Sequence, residues 1–357
     1  MADDPDPYAS PWNGNQYRPF TELMALEKLD DWTFRSIAKP FSPSDATAAY
    51  GGHVYAQAVY AASKTVNADL VVCNVTGIFT LPANTNQPLT YHIRRIRDGG
   101  MFATRLVDVI QREDKGICFS CTATFKREEA DHLNLQERAN LSEKYITVLK
   151  GKNPEDHEEC PGVDSPWFWQ NLKDHEYKNN PKFPGLHCTK VDMRAYNEPR
   201  PLLERRQLQY YAVMGDMPSL RQDPNLHACT HLYASDRNSL FSVTNMLDVG
   251  DDYMQMASLS HTVILHVNPD GMNAVKRQAA GKPGTGKKWF CQEAWATRNA
   301  VGRTLHESKI WDDEGVHIAT TIQDGLVRLG PGTRGERMRE DFERVMRERE
   351  SGSKGKL

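Results

Sequence analysis

The chain is short of the features that mark membrane, secreted and nucleic-acid-binding proteins. None of its 357 residues fall in a run approaching the roughly 18 apolar residues of a membrane-spanning helix. No charged start followed by an apolar stretch opens it. The first twenty residues, MADDPDPYASPWNGNQYRPF, are acidic and Pro-rich, so no secretory leader is expected. There is no basic excess: 44 Lys and Arg stand against 47 Asp and Glu, a net charge of -3, which argues against a nucleic-acid partner. Cysteine is sparse, and its count of seven is odd and scattered, as expected of a reduced intracellular compartment. Cys118 and Cys121 form a C-x-x-C inside an alternating strand-like segment, but no second pair at zinc spacing exists. Packing is the expected role of these two, and no metal or cofactor is expected.

What is present suits a folded, globular chain. Hydrophobic residues make up 39% of the chain, enough for a substantial core. Residues 44–67 read as a helix, with Gly51-Gly52 opening its core section and Val54, Ala58, Ala61, Ala62 and Val66 at helical spacing. Strand-like segments follow at Val71–Leu81, Leu89–Arg97, Phe102–Gln111 and Gly116–Lys126, with hairpin turns at Arg97-Asp98-Gly99-Gly100 and Glu113-Asp114-Lys115-Gly116. Residues 127–185 are polar and broken by prolines, and the apolar cluster Pro166-Trp167-Phe168-Trp169 must dock somewhere. They read as a linker with short helices.

The order then repeats. Leu186–Tyr196 and Arg206–Met214 are strand-like, Leu226–Leu247 reads as a helix, and strands follow at Tyr253–His266, Trp289–Arg298, Arg303–Trp311 and Val316–Arg328. The closing hairpins overlay at a shift of roughly 200 residues. Arg97-Asp98 faces Arg298-Asn299, and Cys121-Thr122-Ala123-Thr124 faces Thr320-Thr321-Ile322-Gln323. A long helix and four strands, twice over, have a physical solution: each antiparallel sheet wraps a central helix, and the two sheets join edges. The expected fold class is therefore α+β, a double hotdog. Its parts are an arm at 1–20, a first hotdog unit at 21–126, the linker at 127–185, a second unit at 186–330, and a charged helix with a flexible tail at 331–357. In that last part Met338, Phe342, Val345 and Met346 form one narrow apolar stripe.

Among the polar positions, Asp236 alone stands out by pattern. Asp236 shares a helix face with Leu232, Leu240 and Val243, where a carboxylate is costly unless paired. A helix that turns earlier would instead leave it as an exposed cap. Ser258, Ser260 and Thr262 alternate along one strand face, with His266 on the same face, a pattern that cross-strand packing also explains. No G-x-S-x-G surrounds Ser258, which speaks against a serine nucleophile. Gln323 sits in the last strand, where it reads either as a solvent-facing edge residue or as an amide able to hold water. Gly281–Lys287 fits P-loop spacing, but Lys288 stands where Ser or Thr should bind magnesium, and a strand-like segment follows instead of a helix. Arg94, Arg95 and Arg97 with Lys126 and Arg127 make a basic patch, read as a solvated face or a contact for an anionic ligand.

Four segments resemble the acyl-CoA thioesterase II family. Tyr50-Gly51-Gly52-His53-Val54-Tyr55-Ala56-Gln57-Ala58 is similar to its G-G-Q-x-x-x-Q-A helix, with His53 in place of the first Gln. Residues 97–107 resemble its R-D-G-x-x-F-x-x-R-x-V hairpin, Tyr233-Ala234-Ser235-Asp236 its Y-x-S-D helix, and residues 321–328 its V-Q-E-G-x-x-R end. The resemblance implies a double hotdog fold and hydrolysis of acyl-CoA to fatty acid and CoA. It implies that Asp236, Ser258 and Gln323 hold and activate a water, a one-sided site in the second unit. Gly51, Gly52 and His53 are the expected substrate-side residues, and the oxyanion is expected to meet backbone N–H groups near Gly51-Gly52. Homo-oligomers are expected. A non-catalytic acyl-CoA binder and a hotdog hydratase are the alternatives. Gly355-Lys356-Leu357 is close to the peroxisomal S-K-L address, so peroxisome and cytoplasm are both open.

Overall fold

Period-two patterning builds the sheet. In Phe102–Ile110 the residues Ala103, Arg105, Val107 and Val109 are buried while their neighbours are less so, as one covered face requires. The computed structural model describes residues 18–42, 48–112, 114–137, 140–160, 164–166, 169, 183–276 and 286–329. The arm up to residue 17, Trp167-Phe168, most of Gly281–Lys287, the charged helix and the C-terminal tripeptide lie outside them.

The first unit holds β1 (Leu26–Lys28), β2 (Thr33–Ser36), β3 (Leu70–Phe79), β4 (Thr90–Asp98), β5 (Phe102–Ile110) and β6 (Ile117–Arg127). The second holds β7 (Glu158–Glu159), β8 (Leu186–Lys190), β9 (Gln207–Val213), β10 (Tyr253–Leu265), β11 (Phe290–Ala300), β12 (Arg303–Trp311) and β13 (His317–Leu329). All join one 13-stranded sheet in the order β1-β2-β4-β5-β6-β3-β10-β13-β12-β11-β9-β8-β7. The two halves of that order mirror each other, as the repeat in the sequence implies. At the seam, β3 pairs antiparallel with β10, Gly77 facing His261 and Val75 facing Val263. Each half's edge is thereby closed by the other. This is the double hotdog expected, with β1, β2 and β7 as strands that the periodicity did not reveal. No helix among the described residues is long and apolar enough to cross a membrane.

The helices differ from the sequence reading in one informative way. The first begins at Gly51 and runs to Ser63. The second is not continuous: Pro224–Ser235 ends at Asp236, Asn238 adopts a left-handed φ of 58°, and a new helix starts at Ser239 and runs to Met246. Asn tolerates left-handed geometry better than most residues, and the Asn238 side chain is held by Gln209 Oε1 at 3.2 Å and Cys160 Sγ at 3.0 Å. The two central helices pack closely and antiparallel. The Tyr50 hydroxyl donates to the Tyr233 carbonyl at one end, and Tyr60 and Lys64 meet Asp223 at the other, at 2.8 and 2.9 Å. A Cβ on Gly52 would lie 2.7 Å from the Tyr233 carbonyl oxygen, so this crossing requires glycine.

The described part of the linker docks on the second unit. Short helices at Leu141–Lys144 and Ile146–Leu149 bring Lys144 to within 2.6 Å of Glu293 and the Tyr145 hydroxyl onto the same buried carboxylate, which Trp311 also reaches at 3.1 Å. Cys118 and Cys121 are both buried although three apart in sequence, because a register shift between Val109 and Ile110 interrupts the alternation of β6 against β5. They are free thiols.

One side chain stitches the units together. Asn225, in the first turn of the second unit's helix, accepts from the Val72 N–H and donates to the Leu70 carbonyl of β3, both at 2.9 Å. Those backbone groups lie where β3 shifts register against β6, between Val72 and Asn74. Asn225→Ala leaves both buried groups unpaired and should cost about 2–4 kcal/mol. Chemical denaturation should show that loss, with both units still unfolding in one transition.

Candidate active site

Asp236 lies where the second unit's helix breaks, and the break gives it its environment. It caps the C-terminal, electronegative end of its own helix, an unfavourable place for a carboxylate. The opposing field comes from the other unit: the N-terminus of the Gly51–Ser63 helix abuts Asp236, and the Gly52 N–H donates to it. A Cβ on Gly51 would stand 2.8 Å from Asp236 Oδ2 and 3.2 Å from the Phe79 ring, so a side chain there would displace the carboxylate. Asp236 is only 7% exposed, and three side chains surround one of its oxygens. Gln323 Nε2 donates to Oδ1 at 2.7 Å, Ser239 Oγ at 3.2 Å, and Ser258 Oγ lies at 3.5 Å. Burial raises the acid's pKa to about 6, against the lowering effect of those hydrogen bonds. A carboxyl poised there is ionised near neutrality yet basic enough to take a proton.

Ser258 reaches this point by a fault in its strand. Strict alternation would put Ser258, Ser260 and Thr262 on one face. Instead Ser258 pairs with Gly325 and Ser260 with Asp324, so Leu259 is an extra residue between them. This β-bulge turns Ser258 to the inner face, the face of buried His261, while Thr262 bonds Thr76 on the exposed side. Gln323 is fully buried, because β13 is not an edge: β10 and β12 flank it. Its Nε2 donates to Asp236 Oδ1 and, at 2.7 Å, to Ser258 Oγ. The structure therefore gathers Asp236, Ser258 and Gln323 at one point, together with Gly51 and Gly52 from the other unit.

His53 is not gathered there. Its ring points into the first unit's core, with Nε2 3.0 Å from Gln57 Oε1, which also accepts from the Tyr91 hydroxyl at 2.6 Å. Burial pushes the His53 pKa down to about 4, so the ring stays neutral. The arrangement is also less one-sided than the resemblance implies, since a backbone donor from the first unit contacts the key carboxylate. Ser239 was not legible as a site residue; its signal is its place three residues after Asp236, inside a run of cap-forming side chains. The motif's Tyr233 and Ser235 are structural: Tyr233 donates to the Pro184 carbonyl, and Ser235 bonds the Leu232 carbonyl and His261.

Comparison with known proteins agrees with this layout. Residues 39–126 match the acyl-CoA thioesterase N-terminal domain, and residues 154–327 match the acyl-CoA thioesterase C-terminal domain, so the second match takes in the end of the linker. The chain is 24% identical over 320 residues to acyl-coenzyme A thioesterase 8 of Mus musculus, covering 87% of this chain and 89% of that protein. It is 24% identical over 317 residues to acyl-CoA thioesterase 2 of Haemophilus influenzae, covering 86% and 96%. In fold it is similar to the crystal structure of an acyl-CoA thioesterase II from Mycobacterium marinum, with a TM-score of 0.60, 22% identity, and coverage of 88% of this chain and 98% of that one. With both domains matched in order along most of its length, the chain belongs to the acyl-CoA thioesterase family, a thioester hydrolase made of two hotdog units.

Proposed function

We propose that this protein hydrolyses fatty acyl-CoA to the free acid and CoA by direct attack of a water that Asp236 deprotonates and Ser258 and Gln323 orient. The observation that carries this reading is the buried Asp236 carboxyl, raised to about pKa 6 and held by Gln323, Ser258, Ser239 and the Gly52 N–H. A thioester carbonyl is reactive enough for water to attack without a covalent intermediate. As the water oxygen bonds the acyl carbon, its proton passes to Asp236. The tetrahedral oxyanion lies toward the start of the Gly51–Ser63 helix, whose N–H groups and dipole favour negative charge. On collapse the C–S bond breaks, and the proton held by Asp236 goes to the departing CoA sulfur. Gln323 contributes by holding the Asp236 carboxylate and the Ser258 hydroxyl in place, and Ser258 by directing the water between them, an effect of orientation rather than of charge.

Asp236→Asn keeps the shape and removes the base. With palmitoyl-CoA as substrate and released thiol followed by absorbance, kcat should fall by about 10³-fold with KM little changed. Full activity of Asp236→Asn would exclude this assignment. The same substitution separates activity from stability. Wild-type kcat should drop on the acid side with a midpoint near pH 6, since only the ionised carboxylate accepts a proton. For folding the sign is opposite: a carboxyl raised above its ordinary 3.8 is protonated more readily in the folded state, so its contribution is intact below about pH 4 and lost as pH rises through 6. Asp236→Asn should therefore melt higher than wild type at pH 8, with the difference gone below pH 4.

A further inference from the structure

Behind the carboxylate, the core face of the sheet carries a row of residues in direct register across five strands: Gly77 of β3, His261 of β10, Gln323 of β13, His306 of β12 and Ala296 of β11. His261, Gln323 and His306 are fully buried. Among the described residues, four of their polar atoms have no hydrogen-bond partner: His261 Nδ1, both ring nitrogens of His306, and Gln323 Oε1. Buried polar atoms left alone are rare and call for a reason.

The hydrogen bonds that are made fix the roles of these atoms. Ser235 Oγ gives its proton to the Leu232 carbonyl at 2.7 Å, so at its 2.7 Å contact with His261 Nε2 it must accept. His261 is therefore protonated on Nε2 and bare on Nδ1. Gln323 spends both amide protons on Asp236 and Ser258, and its Oε1 needs a donor. Burial holds His306 neutral, with its pKa lowered to about 4, and the neighbouring His261 ring is lowered in turn by burial and by His306. A neutral imidazole keeps one N–H, and His306 is the one residue of the row whose N–H is not already used. At the Gly77 end the row is closed by aromatic rings: Phe119 fills the place a side chain at 77 would take, and the Tyr55 ring lies 4.9 Å from His261.

We infer that His306 is a positioning residue for the hydrolysis: its N–H, directly or through one water, holds Gln323 Oε1 and so fixes which end of the amide faces Asp236. This rests on the proposed role of Gln323. Without such a donor the amide can rotate by half a turn, setting its oxygen against the carboxylate and losing both bonds that orient the water.

A double-mutant cycle in the full-length protein, with palmitoyl-CoA as substrate, tests this. Gln323→Leu should lower kcat by about a hundredfold, and His306→Leu, close in volume but with no donor, by about tenfold with KM unchanged. His306→Asn, which restores an N–H, should recover activity to within about threefold of wild type, and it also serves where the Leu variant folds poorly. In the Gln323→Leu background, His306→Leu should have no further effect on kcat, a non-additivity that loss of general stability would not give. If Gln323→Leu is impaired but His306→Leu turns over like wild type, or the two losses simply multiply, the inference about His306 is wrong and the Gln323 assignment stands. If Gln323→Leu is itself fully active, the site reading fails, and this inference with it.

Discussion

The Asp236 carboxylate sits between two helix ends that belong to different halves of the chain. Its own helix turns a negative end toward it, and burial removes the water that would otherwise solvate it. What makes the position tolerable is the start of the Gly51–Ser63 helix, brought within hydrogen-bond reach through Gly52. That approach sets strict conditions elsewhere. Positions 51 and 52 must be glycine, the helices must cross antiparallel with Tyr50 on the Tyr233 carbonyl, and the two sheets must join with β3 against β10. A single hotdog unit cannot supply both helix ends. The chemistry proposed for Asp236 thus depends on the pairing of units, even though every side chain assigned to it comes from the second.

The repeat also shows how one geometry serves two purposes. At the far end of the helix pair, the start of the second helix meets the end of the first, and there Asp223 accepts from Tyr60 and Lys64 while capping its own helix through the Leu226 N–H. Close by, the buried Arg105 bonds the Thr65 hydroxyl and carbonyl and pairs with Asp98 at 2.7 Å. The charges at that end are matched and consumed by structure. At the Asp236 end no cation among the described residues is hydrogen-bonded to the carboxylate, so burial dominates and the pKa rises to about 6. The two ends of the helix pair thus differ in whether the acid held there has a cationic partner.

Much of the fold was legible because period-two strands and a repeated order survive in the letters. Eight long strands are legible within a residue or two, and the hairpin overlay between the halves corresponds to β4–β5–β6 against β11–β12–β13. The site was less legible, and each miss has a local cause. Asp236 looked like a mid-helix residue because Leu232, Leu240 and Val243 keep helical spacing across a break that only the left-handed Asn238 reveals. Ser258 could not be aimed correctly without the bulge at Leu259, since one inserted residue reverses the face of everything beyond it. Gln323 read as a plausible edge residue because the last strand in sequence need not be the last in space. Asn225 and His306 gave no signal, because their meaning comes from partners in distant strands.

The proposed chemistry depends on the ionisation state of one carboxyl group, that of Asp236. Nuclear magnetic resonance of protein carrying 13C-labelled Asp side chains, with Asp236→Asn used to assign the signal, would follow its ionisation directly. The structure predicts a titration midpoint near pH 6 for Asp236. A midpoint at or below the ordinary value of 3.8 would mean that the carboxylate is not buried and held between the two helix ends as described.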